Sequence, residues 1–117
     1  MLGFPTGGYL INRVISAATD NATLVKGAQG QLMGIQACNT NAAARYLKIY
    51  NKATAPTVGT DTPALTITLP PSVPVNIEFS RGVNFGTGIG LGIVTGAADS
   101  STTAVAANEI IVNVFYL

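Results

Sequence analysis

The chain has 117 residues, with six Lys and Arg, five Asp and Glu, and no His. The absence of His excludes Ser-His-Asp and Cys-His nucleophile systems and zinc sites built on His. Charged residues are 9% of the sequence, far below the roughly 25% of an ordinary domain, and a surface so poor in charge favours a subunit of an assembly over an independent enzyme.

Short apolar or alternating segments follow one another along the chain, separated by Gly, Pro, Asn and Thr, and this spacing predicts β-strands. The predicted strands are 9–15, 22–26, 31–39, 45–51, 65–69, 75–79, 89–94 and 110–116. Residues 40–44 are compatible with a helical turn or a loop, and 52–63 are predicted as a long irregular loop. The pattern predicts an all-β, single-domain β-sandwich, Greek-key or jelly-roll-like, over residues 9–117, with a flexible N-terminal arm over residues 1–8.

The alternation within two strands predicts where their side chains point. In strand 31–39, Met33, Ile35 and Ala37 are assigned to one face, which places Leu32 on the opposite face. The C-terminal strand, 110–116, has little polar surface on either side. We therefore expect this last strand in the middle of a sheet or at an interface.

Glycine alternates with other residues from Gly86 to Gly92. The dinucleotide pattern G-x-G-x-x-G fails in either register, and no Walker Lys-Ser/Thr follows. The residues that follow are strand-like, whereas a phosphate site needs a helix N-terminus. The alternation instead predicts a strand with one flat face, which another backbone or a large side chain approaches closely. We expect neighbouring subunits to cover this charge-free face and the C-terminal strand 110–116, which also carries no charge.

Carboxylates are few and scattered. Asp20, Asp61 and Asp99 lie in loops rich in Asn, Thr and Ser, where they either fix turns or ligate calcium, although no EF-hand spacing is present. Nothing in the sequence brings Glu78 and Glu109 together, so we expect each to be solvated or ion-paired rather than an acid/base pair. The sequence therefore predicts no enzyme, no catalytic residue, no cofactor and no metal site.

Lys and Arg occur singly rather than in a basic run, which argues against a nucleic-acid partner. No segment approaches 18 apolar residues, and the first eight residues lack the charged start and apolar core of a secretory signal. We therefore expect neither a nucleic acid nor a membrane as partner.

Tyr46 and Tyr50, with Lys48 between them, share one face of strand 45–51. Two interpretations stay open. The tyrosines are an ordinary outer sheet face, or they form an exposed stripe on which a sugar ring or a partner chain stacks.

Residues 39–53 (NTNAAARYLKIYNKA) and 56–63 (PTVGTDTP), with 95–99 (TGAAD) leading to 105–109 (VAANE), resemble small virion structural proteins of tailed bacteriophages and prophages, including head-decoration or cement proteins. The resemblance covers most of the chain from about Ala17 onward and includes no catalytic motif. It implies a β-rich fold, no active site, and copies arrayed on a capsid or tail.

The sequence and this resemblance together predict a non-enzymatic phage virion structural protein that decorates and stabilises the capsid by bridging major capsid protein subunits. It would be made in the bacterial host cytoplasm, lie on the capsid surface and form a homo-oligomer, with a trimer expected. The alternative is a carbohydrate- or receptor-binding module of a phage tail or fibre. The expected interface comprises the N-terminal arm, the tyrosine face and the 52–63 loop, with the residues Leu2, Phe4, Tyr46, Lys48, Tyr50, Pro56 and Val58.

Overall fold

Eight strands form two four-stranded sheets in a computed structural model of the chain, which describes residues 8–117. The strands are β1 (Leu10–Ile15), β2 (Thr23–Lys26), β3 (Gly30–Asn39), β4 (Arg45–Tyr50), β5 (Leu65–Leu69), β6 (Val75–Phe85), β7 (Ile89–Val94) and β8 (Ile110–Tyr116). Seven of them match the predicted strands to within a residue at either end, and β6 continues six residues beyond its predicted end. Residues 40–44 form a loop rather than a helical turn.

The strand order is β1-β8-β3-β6 in sheet A and β2-β7-β4-β5 in sheet B. The pairs β1 with β8, β2 with β7, β3 with β6 and β4 with β5 are all antiparallel and nest inside one another along the chain. Wrapping this long nested hairpin into two sheets gives the eight-stranded jelly roll. The predicted single-domain β-sandwich is confirmed. The predicted arm, apart from Gly8, lies outside the described residues.

The hydrophobic core lies between the two sheets and is filled by one face of each strand. The central strands contribute most of the fully buried side chains, which include Ile35, Leu47, Ile49, Leu91, Ile93, Val112 and Val114. Burial of each such side chain stabilises the fold by roughly 1.5–3 kcal/mol. The prediction for the last strand is confirmed, because β8 lies inside sheet A between β1 and β3.

The face predicted for Leu32 is wrong. The pairing of β3 with β8 shifts register between Leu32 and Gly34. Leu32 pairs with Tyr116 and Gly34 with the adjacent Phe115, which makes a β-bulge at Met33. Because an inserted residue reverses the alternation, Leu32 joins Ile35 in the core. Gly82 of β6 lies opposite the bulge with a φ of 76°. A Cβ at this position would lie only 2.6 Å from the sulfur of Met33, so the glycine leaves room for the Met33 side chain.

The flat glycine face predicted for β7 is confirmed. A Cβ at Gly90 would lie 3.0 Å from Cδ of Pro56, and a Cβ at Gly92 would lie 2.6 Å from Cγ2 of Val58. Both contacting residues belong to the loop between β4 and β5. The expectation that neighbouring subunits cover this face is therefore wrong, because a loop of the same chain covers it.

A methyl group at Gly92 should destabilise the fold. We expect Gly92→Ala to lower the free energy of unfolding by about 1–3 kcal/mol, because the added atom overpacks the contact with Val58. Val58→Ala in the same chain should recover part of the loss. Gly86→Ala is the control, since no atom lies within 4 Å of its Cβ position. Urea unfolding measures the stability of each variant. Equal losses for Gly92→Ala and Gly86→Ala would contradict the close contact between Gly92 and Val58.

An ion pair and several hydrogen bonds at Glu109 join the β3–β4 loop and the start of β4 to the start of β8. The Nε of Arg45 lies 3.0 Å from Oε2 of Glu109, and the side-chain amide of Asn41 and the backbone N–H of Ala106 also donate to this carboxylate. Ser16 Oγ accepts the backbone N–H of Glu109 at 3.0 Å. Of the two roles expected for Glu109, the ion-paired one is observed.

The hydrogen bonds at Glu109 control its ionisation. Burial alone raises the pKa of this carboxyl, but the hydrogen bonds from Arg45, Ala106 and Asn41 together outweigh burial and hold the pKa below its ordinary value of 4.5. The ionised group therefore stabilises the fold above pH 4.5, and this contribution is lost as the pH falls through the lower pKa of the folded state.

Replacing Glu109 should remove that pH-dependent stability. We expect Glu109→Gln to lower the free energy of unfolding at neutral pH by about 1–3 kcal/mol, with the difference from the parent protein shrinking in acid. Urea titrations across the acid range measure it. Glu78→Gln, at an exposed position, should change neutral-pH stability by less than about 0.5 kcal/mol. A constant Glu109→Gln deficit at every pH would contradict the assignment.

Candidate functional site

Two loops of the same chain cover the outer face of sheet B. Residues 51–64, between β4 and β5, place Pro56 and Val58 on the glycines of β7. Residues 95–109, between β7 and β8, lie over β4, and the two loops touch where Gly59 meets Thr102. Strands β4 and β7 are consequently buried on both faces over most of their length.

Lys48 holds the second of these loops in place. Its side chain is 1% exposed, and its Nζ donates to the carbonyl oxygens of Ala97 at 2.7 Å and Ala98 at 3.0 Å. Burial lowers the pKa of Lys48, while the negative charge of Asp99 opposes that effect. Lys48 therefore anchors a loop and presents almost no surface to a partner.

Tyr50 lies beneath the first loop. It is 1% exposed and packs with Val58 and Val94 in a small apolar cluster outside the main core. Its hydroxyl has no hydrogen-bond partner among the described residues. The expected exposed stripe is therefore wrong for Lys48 and Tyr50, while Tyr46 is half-buried.

The three loop aspartates lie within electrostatic reach of this tyrosine. Burial chiefly raises the pKa of Tyr50, and the charges of Asp61, Asp20 and Asp99 raise it further. Asp61 accepts hydrogen bonds from Lys52 Nζ at 2.5 Å and from a backbone amide of its own loop at 2.7 Å, and Asp20 accepts one from the amide two residues on. These two aspartates fix turns, and residues 8–117 contain no group of three or more Cys, Asp or Glu placed to hold a metal ion.

The outer face of sheet A has the opposite character, because its side chains remain accessible. The outward residues form three rows across β1, β8, β3 and β6. The rows are Ile11, Phe115, Gly34 and Glu78; Arg13, Asn113, Gln36 and Asn76; and Ile15, Ile111 and Cys38. Apolar and amide side chains dominate this surface, which we call face A.

Face A has exposed apolar side chains at one edge and a groove beside them. On the β1 side, Tyr9, Ile11 and Ile15 are 46%, 62% and 43% exposed. A groove of about 430 Å³ is lined by Tyr9 and, on the β3–β6 side, by residues that include Met33, Gly34, Glu78 and Phe115. The groove lies where the bulge displaces Met33 and where Gly34 has no side chain.

The three rows of face A contain two charged side chains, at opposite edges, and β6 carries a further exposed charge, Arg81, three residues beyond Glu78. Arg13 is on β1 and Glu78 is on β6, and both are exposed. The ion pairs found within residues 8–117 are Arg45–Glu109 and Lys52–Asp61, so neither Arg13 nor Glu78 has an oppositely charged partner there. Face A is the candidate functional site of this molecule.

The interface predicted from the sequence differs from face A. Lys48, Tyr50, Pro56 and Val58 are buried against their own chain, and Tyr46 is half-buried beside them. Leu2 and Phe4 lie outside the described residues. Sequence reasoning missed the face A residues of β1, β3 and β6, although the outward Ile11 and Ile15 were a signal for them. For β8 it predicted the middle of a sheet or an interface.

Comparison with known proteins leaves the fold and face A as the basis for assigning a function. No family model, curated protein or solved structure matches the chain. Within residues 8–117, no helix has the length and apolar character needed to cross a membrane.

Mutation can distinguish the role of Lys48, which holds the 95–109 loop, from that of Lys52, which holds the 51–64 loop. We expect Lys48→Met to speed amide hydrogen exchange in residues 95–103 by about tenfold, because two hydrogen bonds from a charged donor are lost. Residues 57–61 should be unaffected. Lys52→Met is the matched control, since it frees Asp61 and should give the reverse pattern. Equal exchange in both loops for both variants would contradict these separate roles.

Proposed function

We propose that this protein is a non-enzymatic structural component of a phage virion, which decorates and stabilises the capsid by bridging major capsid protein subunits. The observation that carries the proposal is the contrast between the two sheets. Sheet B is covered by its own loops, whereas face A leaves apolar side chains such as Ile11 and Ile15 in water. Exposed apolar side chains gathered on one face are typical of a protein–protein contact.

The topology supports the same proposal. Eight-stranded jelly rolls occur in viral capsid proteins, and also in lectins and cupins, so the fold narrows the function without choosing it. The low charge of 9% and the resemblance of residues 39–63 to small virion proteins favour the capsid among these. The proposal places the protein on the virion surface, after synthesis in the bacterial host cytoplasm.

Stabilisation of a shell by such a subunit is mechanical. A subunit seated across the boundary between two coat proteins adds buried contact area, so separating the coat proteins also requires breaking the added contacts. Few charges take part, because face A carries Arg13 and Glu78 at its edges and amides or apolar groups between them. The attachment should therefore depend only weakly on ionic strength.

The carbohydrate-binding alternative loses its main support. A sugar ring stacks on an accessible aromatic face, whereas Tyr50 is buried beneath the 51–64 loop. Tyr46 is half-buried on the same strand.

The proposal predicts where the chain lies in the particle. Cryo-electron microscopy of the purified virion should show it on the outer capsid surface at boundaries between coat subunits. Particles that lack it should break at a lower temperature, and a salt wash should not remove it from complete particles. Density on the tail alone, or release by moderate salt, would contradict the proposal.

A further inference from the structure

Face A is matched to a copy of itself. We propose that two copies of this chain pair through face A across a two-fold axis. The pairing concerns the free protein in solution, since the proposed function gives the same face to the coat protein on the capsid. It rests on the shape and charge of that one surface. It assigns a partner to the groove and to the exposed edge of β1.

Charge complementarity carries the first step. In a two-fold contact, if residue i of one copy meets residue j of the other, then j also meets i. Arg13 and Glu78 lie at opposite edges of face A, so one rotation places each against the other in the second copy. Two ion pairs form, so that Arg13 and Glu78 of each copy both gain an oppositely charged partner.

Shape complementarity follows from the same rotation. With Arg13 opposite Glu78 of the second copy, the axis passes through the middle of face A, between β8 and β3. At strand spacings of about 4.8 Å and a rise of about 3.4 Å per residue, the two Phe115 rings then lie side by side near the axis. Ile11 of each copy lies over the Met33–Gly34 part of the other copy's groove. The exposed side chain thus meets the concave surface.

The size of face A is that of a small specific contact. Its strands contain 6, 7, 10 and 11 residues, which at about 3.4 Å per residue and about 4.8 Å per strand cover roughly 550 Å² per copy. Both copies together bury roughly 1,100 Å², just above the area of about 1,000 Å² that a specific interface should clear. Apolar and amide groups occupy the interior of face A and its two charges lie at the edges, and charged residues are likewise depleted from the core of specific contacts.

Sedimentation of the purified 117-residue chain over a concentration series tests the pairing. We expect a mass of two chains. Arg13→Glu and Glu78→Arg should each raise the dimer Kd about tenfold by placing like charges together, and the double variant should return to within about threefold of the parent. Lys26→Glu makes the same charge change on sheet B and should have no effect.

The apolar contact has its own matched pair of variants. Ile11→Ser should raise the dimer Kd about tenfold or more, because the side chain no longer fills the partner groove. Leu24→Ser removes an aliphatic group that is also exposed, on β2 of sheet B, and should leave the dimer unchanged. Both positions are exposed, so folding is preserved, and near-UV circular dichroism confirms it.

Three results would overturn the pairing. A monomer at every concentration would leave face A for a different protein, such as the coat protein. A mass of three chains would support the trimer expected from the sequence instead. If the double variant Arg13→Glu, Glu78→Arg has a dimer Kd as high as the single variants, Arg13 and Glu78 do not contact each other across the interface. The two proposals fail separately. A monomer in solution would overturn the pairing and leave capsid attachment through face A standing, whereas a dimer in solution together with absence of the protein from the virion would overturn only the proposed function.

Discussion

The close contact of Pro56 and Val58 with the glycines of β7 is the constraint on which the rest of the molecule depends. Gly90 and Gly92 have no side chains, so the 51–64 loop can lie directly on the sheet, and any larger residue would lift it away. The loop in turn buries Tyr50. An apolar sheet face that would otherwise be open to solvent therefore becomes a satellite core made from the chain itself.

Buried polar groups hold the second covering loop, residues 95–109, in place. Lys48 donates to two carbonyl groups of the 95–109 loop, and Glu109 joins the end of that loop to Arg45 and Asn41. Each of these groups is costly to bury and is stabilised only by specific partners. The molecule thus uses several of its few charges internally. Arg13 and Glu78 remain at the edges of the open face, which gives the two sheets different roles.

Much of the fold could be predicted from local pattern. Alternation and turn residues located all eight strands, because side-chain period and chain breaks are encoded within a few residues. The predicted face of Leu32 was wrong because the β-bulge at Met33 depends on the pairing of β3 with β8, a contact between distant parts of the chain. The extension of β6 was missed for the same reason, since its last three residues, 83–85, pair with residues 30–32 of β3.

The sequence by itself determined that this is an all-β chain with few charges, one glycine-faced strand and no histidine chemistry. The tertiary structure decided which surfaces are available. Tyr50, Lys48 and Val58 look like surface residues in sequence, yet all three are buried. The 51–64 loop folds onto β7, which buries its own Val58 and Tyr50, and the 95–109 loop covers Lys48. Ile11, Phe115 and the other residues of face A share a surface only because β1, β8, β3 and β6 are neighbours in the jelly roll. Strand order depends on long-range pairing, and local periodicity carries no record of it.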